Sequence, residues 1–298
     1  MGIIYRQAKM LLDAHHSGLP MERLLMIGRQ SLLLHTSELR AIRKICPGAL
    51  ANYKWGEHAD RFFSECLGVS TINTMDYSSY EGADILHDLN QPVPANLRGR
   101  FDIVVEAGSL EHVFNFPIAV SNLMQMTKVG GTVSASTVSN NLCGHGFYQF
   151  SPELIFRVFS ADNGFALGKV LALEARYPGV ELVPIRNAFE VVDPESIGSR
   201  VGLLTSHPIL LLFNARKIAE VPPFTKSPMQ SDYVAAWASK EKSASSRVPQ
   251  WIRNLPLYSS VHNWLHTSRP FQAYFKWRIG QRQLSEFSLN NKRLFRKV

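Results

Sequence analysis

Residues 101–113 read FDIVVEAGSLEHV, and they indicate the architecture of the whole chain. The first part, Phe101–Glu106, is rich in apolar and β-branched residues, which is typical of a buried strand. Pro117–Lys128 then carries apolar residues at helical spacing, and a further β-branched run starts at Thr132 after two glycines. A strand, a helix and a strand in this order predict two parallel strands joined by a crossover helix.

The same alternation continues in both directions along the chain. The other expected strands are Arg23–Gly28, Ser70–Met75, Ala83–His87, Lys169–Leu173 and Ile209–Phe213. The expected helices are Arg6–His15, one opening at Thr36–Glu38, and Ser151–Phe159. The pattern predicts an α/β fold with a mostly parallel sheet that is covered by helices on both faces.

The composition is that of a globular protein. With 298 residues, 45% hydrophobic and 19% charged, the chain can bury a full core, and this excludes wholesale disorder. The apolar stretch Leu203–Phe213 is interrupted by polar residues and falls short of the ~20 residues that a membrane span needs. We see no secretory or myristoylation signal, and Cys46, Cys66 and Cys143 have no short metal-ligand spacing. We therefore expect a cytoplasmic protein with reduced thiols.

The charge is unevenly distributed. Residues 215–298 contain 15 basic and 4 acidic side chains, whereas residues 1–214 contain 17 basic and 20 acidic ones. We therefore expect a slightly acidic domain over 1–214 and a basic, aromatic-rich helical extension over 215–298.

Candidate binding residues follow the predicted strands. Ligands of parallel sheets bind beyond the carboxyl ends of the strands. This rule selects Gly28, Asp76, Asp88 and residues 106–112 and 137–146. A lone aspartate in such a place is more often a cap, but two in corresponding places favour binding. The first would accept hydrogen bonds from ribose hydroxyls, and the second would orient an adenine amino group.

Three segments resemble class I S-adenosylmethionine-dependent methyltransferases. Phe101–Val113 with Lys128–Thr132 looks like their fourth-strand-to-fifth-strand region, and most resembles the type 11 small-molecule group. Residues 83–89 are similar to the family's adenine-reaching segment, and residues 144–153 resemble bacterial members found among surface-polysaccharide genes. The resemblance covers roughly residues 20–215. It implies a Rossmann-like, seven-stranded sheet whose last two strands form a reversed hairpin, with S-adenosylmethionine as the cofactor.

The first loop departs from the family pattern. That loop typically reads acid-x-Gly-x-Gly-x-Gly, because the backbone passes close to the cofactor. Here Met26 replaces the acid, Gly28 is the glycine that is kept, and Gln30 and Leu32 occupy the later glycine positions. These side chains would crowd the usual path unless the loop turns differently, and Arg29 with Gln30 would then contact the cofactor's carboxylate. The alternative is a loop that no longer binds cofactor.

The resemblance and the strand ends together give the expected site. The expected cofactor-binding residues are Gly28, Arg29, Gln30, Asp76, Asp88, Leu89 and Glu106. Methyl transfer to an oxygen needs a base, and the candidates are His145, His112 and Glu111. Both histidines have a structural alternative, in capping or in shaping a turn.

Tyr148 and Gln149 are the expected substrate contacts, with core packing of the aromatic cluster as the alternative. We expect no metal, because Gly108 and Ser109 stand where further acidic ligands would be needed.

The extension mixes aromatic and basic residues. The aromatic ones are Trp251, Tyr258, Trp264, Phe271, Tyr274, Phe275 and Trp277, and the basic ones are Arg253, Arg269, Lys276, Arg278 and Arg282. This mixture suits an anionic membrane surface or RNA, and it also fits a helical arm packed on the core or a partner. Because no RNA-binding motif is present, we rank the membrane surface above nucleic acid.

Three hypotheses remain. The first is methyl transfer to an oxygen of a small molecule, sugar or lipid-linked glycan in bacterial surface-polysaccharide biosynthesis. The second is a methyltransferase-like binding protein without catalysis. The third is a module that acts at a membrane or on RNA through its basic extension.

Overall fold

A computed structural model describes residues 2–176, 183–240 and 258–298. These residues form two compact units. One comprises Met1–Val191, Ser206–Pro228 and Arg296–Val298, and the other comprises Val192–Thr205 and Met229–Phe295. The domain division between residues 214 and 215 stays a prediction. Trp251 and Arg253 of the extension lie outside the described residues.

The elements run in this order along the described chain. The strands are β1 (Gly2–Ile4), β2 (Arg23–Ile27), β3 (Ser31–Leu33), β4 (Thr71–Asp76), β5 (Ile85–Leu86), β6 (Phe101–Ala107), β7 (Thr127–Asn140), β8 (Phe165–Glu174), β9 (Asn187–Val191), β10 (Ile209–Lys217) and β11 (Phe295–Lys297). The helices are α1 (Tyr5–His16), α2 (Thr36–Ile45), α3 (Asp60–Leu67), α4 (Phe116–Met126), α5 (Pro152–Val158), α6 (Pro194–Ile197), α7 (Ser231–Lys240), α8 (Tyr258–Thr267) and α9 (Arg269–Glu286). No helix in the described ranges is both long and apolar enough to cross a membrane.

The first unit is organised around a nine-stranded mixed sheet. Its order is β11-β9-β8-β10-β7-β6-β2-β4-β5. The neighbours from β5 to β7 are parallel, whereas β10 runs antiparallel to both β7 and β8, and β9 runs antiparallel to β8. The reversed hairpin of β8 and β10 is confirmed.

The expected seven strands and mostly parallel pairing are wrong. β9 and β11 extend the sheet beyond β8, and the antiparallel pairings of β10 and β9 make it mixed. β9 has five residues and β11 has three, which is too short for a clear alternation of apolar and polar residues.

The strand order reverses at β2. From β2 the chain moves outward to β4 and β5, and it then returns to place β6 on the other side of β2. Helices that connect such strands diverge at this point, which leaves a crevice beyond the carboxyl ends of β2 and β6. The topology therefore marks one place in the sheet for a ligand.

Both faces of the central strands are buried. All seven residues of β6 are buried, as are Leu24–Ile27 of β2. Leu24, Met26, Ile103 and Val105 pack in one apolar cluster with residues of α1 and α3. Continuous apolar strands of this kind, rather than alternating ones, are what a covered parallel sheet requires.

The segment after β2 takes an unusual path. Instead of entering a helix at once, the chain forms β3, which pairs in parallel with β1 as a separate two-stranded sheet. Leu32 lies in this strand and is fully buried in the apolar cluster. Helix α2 begins only at Thr36. The glycines that a tight strand-to-helix turn needs are therefore not required here, since the loop turns differently.

Asp102 links the starts of the two central strands. Its buried carboxylate accepts a hydrogen bond from the backbone N–H of Arg23 at 2.7 Å, and it forms an ion pair with Lys128. We expect Asp102→Ala to lower the free energy of unfolding by about 1–3 kcal/mol, because the Arg23 N–H loses its acceptor. Asp102→Asn keeps an acceptor for this donor and should cost less.

Chemical denaturation of the full chain measures the two changes. Asp162→Ala, which removes an exposed ion pair with Lys226, is the control and should change stability by less than about 1 kcal/mol. Equal stabilities of Asp102→Ala and the unsubstituted protein would contradict this role.

Candidate active site

A pocket of about 350 Å³ lies at the crevice where the strand order reverses. It is lined by residues at or just after the carboxyl ends of β2, β4, β5 and β6: Ile27, Gly28, Met75, Asp76, Tyr77, His87, Asp88, Leu89, Asn90, Gly108, Ser109, His112 and Val113. The position and size suit a ligand with several polar groups.

Two acids stand on one side of the pocket. Asp76 ends β4, and one of its carboxylate oxygens accepts the N–H of Tyr77 at 2.6 Å. Asp88 accepts two hydrogen bonds from Asn90, one from the backbone at 2.9 Å and one from the side chain at 2.8 Å. These bonds lower the pKa of Asp88, so this carboxylate is charged at neutral pH. The pocket therefore offers acceptors for hydroxyl and amino groups.

Gly28 forms the floor of the pocket at the end of β2. It has φ +68°, and a Cβ atom there would lie 3.2 Å from Oγ of Ser109 and 3.9 Å from Oδ2 of Asp76. Ser109 also donates a hydrogen bond to the carbonyl of Ile27 at 3.1 Å. The loops after β2 and β6 are thereby joined, and only glycine leaves the space between them open.

Arg29 and Gln30 do not line the pocket. The Arg29 guanidinium lies 3.1 Å from Oδ1 of Asp60, and it also donates to the carbonyl of Gly82 at 3.4 Å. The Gln30 side chain is buried, and its amide donates to the carbonyl of Ile27 at 2.6 Å. Both side chains therefore bond to other parts of the protein and stabilise the segment that follows β2.

Glu106 binds the backbone of the turn that lines the pocket after β6. Its Oε1 accepts the backbone N–H groups of Gly108, Ser109 and Leu110, and the side chain is fully buried rather than exposed to the pocket. Burial, reinforced by the charge of Glu111, raises the pKa of Glu106 to about 8. This carboxyl organises the turn after β6.

Glu111, His112 and His145 form a polar cluster that meets the pocket at His112. One ligand-type atom from each lies within 4.8 Å of the others. Glu111 is fully buried, and its Oε1 lies 3.6 Å from Nε2 of His145. The two imidazole rings are 5.0 Å apart between centroids. A carboxylate between two imidazoles can take up a proton or hold a divalent cation.

The loop that carries His145 is fastened to Glu111. The N–H groups of Phe147 and Tyr148 both donate to the carbonyl of Glu111, at 2.7 and 3.3 Å. Gly146 permits this approach, because a Cβ atom there would lie 2.6 Å from the same carbonyl oxygen. His145 is thus placed beside Glu111 by backbone contacts.

The side chains of both expected substrate contacts already have hydrogen-bond partners in the protein. Tyr148 donates its hydroxyl to the carbonyl of Phe114 at 2.6 Å. Gln149 accepts the N–H of Leu142 at 2.9 Å, and its amide contacts Sγ of Cys143. Their role toward a substrate stays a prediction.

The structure brings only part of the expected site together. Gly28, Asp76, Asp88, Leu89 and His112 line the pocket, and Glu111 and His145 adjoin it through His112. Tyr77, His87 and Asn90 also line the pocket and were not expected from the sequence. Each stands within two residues of an expected acid, and this proximity was the available signal.

Comparisons with known proteins give remote similarities. No family model matches this sequence, and no curated protein sequence matches it. Among solved structures, the citrinin polyketide synthase CMeT domain has a TM-score of 0.40 and 13% identity over 73% of this chain. This chain spans 52%, about half, of that one.

Two further solved structures have similar scores. A SAM-dependent methyltransferase from Thermotoga maritima, described as a possible histamine N-methyltransferase, has a TM-score of 0.36 and 15% identity, over 72% of this chain and 89% of that chain. The 1,6-didemethyltoxoflavin-N1-methyltransferase of Burkholderia thailandensis, with bound S-adenosylhomocysteine, has a TM-score of 0.37 and 10% identity, over 72% of this chain and 79% of that chain.

The raised pKa of Glu106 makes stability depend on pH. The folded protein keeps this carboxyl protonated up to about pH 8, whereas the unfolded chain releases the proton near its ordinary pKa of 4.5. The stability that the folded protein gains from holding this proton is therefore fully present below about pH 4.5, and it is lost as the pH rises through 8. We expect Glu106→Gln to reduce the fall in the free energy of unfolding over this range.

Denaturant titrations between pH 5 and 8.5 measure this effect. Glu81→Gln, at an exposed position, is the control and should leave the pH dependence unchanged. An unaltered slope in Glu106→Gln would show that Glu106 is ionised in the folded protein.

Proposed function

We propose that this chain transfers a methyl group from S-adenosylmethionine to an oxygen atom of a small molecule, sugar or lipid-linked glycan. The supporting observation is the pocket at the reversal of strand order, with two acids on one side and the Glu111–His112–His145 cluster meeting it at His112. The sequence resemblance over residues 20–215 motivates the choice of cofactor.

The residues present fit this cofactor. Asp76 would accept hydrogen bonds from the ribose hydroxyls, and Asp88, whose charge is stabilised by Asn90, would orient the adenine amino group. Leu89 and Tyr77 supply apolar and aromatic surface in the same pocket. When bound, S-adenosylmethionine supplies a methyl group that is already activated by a positively charged sulfur.

The chain's own task is alignment and proton removal. Holding an acceptor oxygen in line with the methyl carbon is a proximity effect, worth up to about 7–11 kcal/mol at best. The acceptor hydroxyl must also lose its proton. Glu111, His112 and His145 would take this proton, since the three form one cluster and His112 lines the pocket.

The altered first loop is compatible with cofactor binding. A non-catalytic protein would be favoured if Gln30 or Leu32 filled the pocket. Instead, Leu32 packs in the core and Gln30 folds back on Ile27, while Gly28 keeps the floor of the pocket open. This arrangement supports an enzyme over a binding protein.

The choice of methyl acceptor in this proposal rests on sequence similarity alone. Residues 144–153 motivate a place in bacterial surface-polysaccharide biosynthesis in the cytoplasm. Tyr148 and Gln149 would contact the acceptor, since they lie on the loop that carries His145.

Cofactor binding can be measured directly. We expect isothermal titration calorimetry of the full chain to detect S-adenosylmethionine, and Asp88→Ala to weaken binding about tenfold, because a charged acceptor is lost. Asp162→Ala, far along the chain and exposed, should bind as the unsubstituted protein does. If S-adenosylmethionine gives no binding heat and does not change the melting temperature of the protein, the proposed function is refuted.

A second function is favoured by the extension. None of the described residues of α9 is buried. Two of its large aromatic side chains are well exposed, Trp277 at 63% and Tyr274 at 51%. Trp264 of α8 is 65% exposed. Tryptophan and tyrosine beside arginine and lysine suit the headgroup region of an anionic bilayer. We infer that α8 and α9 contact such a surface, which would bring the enzyme to the inner face of the membrane.

Vesicle flotation tests this surface. We expect the full chain to bind phosphatidylglycerol-containing vesicles more than pure phosphatidylcholine, with binding weakened by salt. The double variant Trp264→Ser and Trp277→Ser should lose most of the binding, whereas Trp55→Ser in the other unit should not. Equal binding of both variants, or retention by RNA instead of vesicles, would contradict the inference.

A further inference from the structure

We propose that Glu111, His112 and His145 bind a divalent transition-metal ion of the zinc class. The site itself needs only these residues. Its role in catalysis rests on the proposed function, because the ion would hold the acceptor oxygen.

The ligand atoms are already close together. One atom from each residue lies within 4.8 Å of the other two, and Oε1 of Glu111 lies 3.6 Å from Nε2 of His145. Zinc lies about 2.0–2.2 Å from imidazole nitrogen and carboxylate oxygen, so two tetrahedral ligands are about 3.4 Å apart. The Glu111–His145 distance fits such a pair, and the ligand atom of His112 lies within 4.8 Å of the other two.

Two buried polar atoms in the cluster have no hydrogen-bond partner among the described residues. They are Oε1 of Glu111 and Nε2 of His145, and 3.6 Å is too long for a hydrogen bond between them. A fully buried carboxylate oxygen without a donor is costly. A cation between the two atoms would satisfy both.

The carboxylate is held in a ligating orientation. Thr137 donates its hydroxyl to Oε2 of Glu111 at 3.0 Å, and this leaves Oε1 directed at His145. The carbonyl of Glu111 fastens the loop of His145 through the N–H groups of Phe147 and Tyr148. Supporting contacts of this kind orient ligands at metal sites and tune their affinity.

The donor set selects the class of metal. Two imidazoles and one carboxylate suit zinc, iron, cobalt or nickel, whereas magnesium and calcium prefer oxygen ligands alone. Three protein ligands leave a position open, as in catalytic sites. Because His112 also lines the pocket, an acceptor oxygen bound there can reach this position.

Metal binding would give the cluster a defined task. A hydroxyl bound to a divalent cation has a lowered pKa and releases its proton to water. The oxygen's electron pair would then form the bond to the methyl carbon of S-adenosylmethionine, and the carbon–sulfur bond would break with its electron pair left on sulfur. In this scheme His145 is a ligand and not a base.

The sequence pointed away from a metal at this turn. Gly108 and Ser109 offer no carboxylate, and Glu111 with His112 makes only two ligands. The third, His145, comes from the loop after β7 and lies 3.6 Å from Glu111 in the fold. The structure supplies a set that local spacing lacks.

Metal binding is tested on the full chain after treatment with a chelator. We expect titration calorimetry with Zn²⁺ to show one tight site, and Co²⁺ to give visible absorption bands from bound metal. His145→Ala, at a partly exposed position, should weaken binding at least about tenfold and remove the bands. Glu111→Gln should act in the same direction.

His87→Ala is the matched control. His87 lines the same pocket outside the cluster, so its loss should leave metal affinity unchanged. Binding that survives His145→Ala would reveal adventitious binding at other histidines and overturn the proposal, as would the absence of saturable binding in the unsubstituted chain. Far- and near-ultraviolet circular dichroism confirms that each variant is folded.

The outcomes for metal and cofactor are separable. Metal binding without S-adenosylmethionine binding would leave the metal site standing and refute the proposed function. S-adenosylmethionine binding without metal would refute the metal site and return proton removal to His145 as a base.

Discussion

The buried carboxyl of Glu106 organises the turn on which both ends of the site depend. Its Oε1 accepts three consecutive N–H groups, those of Gly108, Ser109 and Leu110. Ser109 then reaches the loop after β2, and Glu111 points into the interior. A single buried acceptor thus connects the floor of the pocket with the polar cluster, at the place where the strand order reverses.

Much of the first unit was predictable from sequence. The strands β2, β4, β6 and β10 match apolar runs, and α1, α2 and α4 match helical spacing. Both patterns are strong local signals. A parallel sheet that is covered on both faces requires apolar strands, and each covering helix requires one apolar face. Asp76 and Asp88 were found by one rule, that ligands bind beyond the carboxyl ends of strands. Short elements such as β3 and β9 lack such periodicity, and they depend on partners distant in sequence.

The side chains of the site were less predictable than its location. Arg29 was expected at the cofactor, but it pairs with Asp60, which only the placement of α3 brings near. Glu106 was expected to bind ligand, yet it is fully buried and satisfies the turn. The approach of His145 to Glu111 depends on a loop contact between two strands. A single sequence carries no periodic signal for contacts of this range.

The parallel pairing of β1 with β3 has a consequence for how rigid the pocket is. Gly2–Ile4 lies alongside Ser31–Leu33, so the earliest described residues brace the segment that directly follows the pocket floor. In a tight strand-to-helix turn, the helix itself stiffens the loop; here a short backbone ladder does so instead. A substitution within Gly2–Ile4 that breaks this pairing would therefore loosen the pocket floor without touching any pocket-lining side chain.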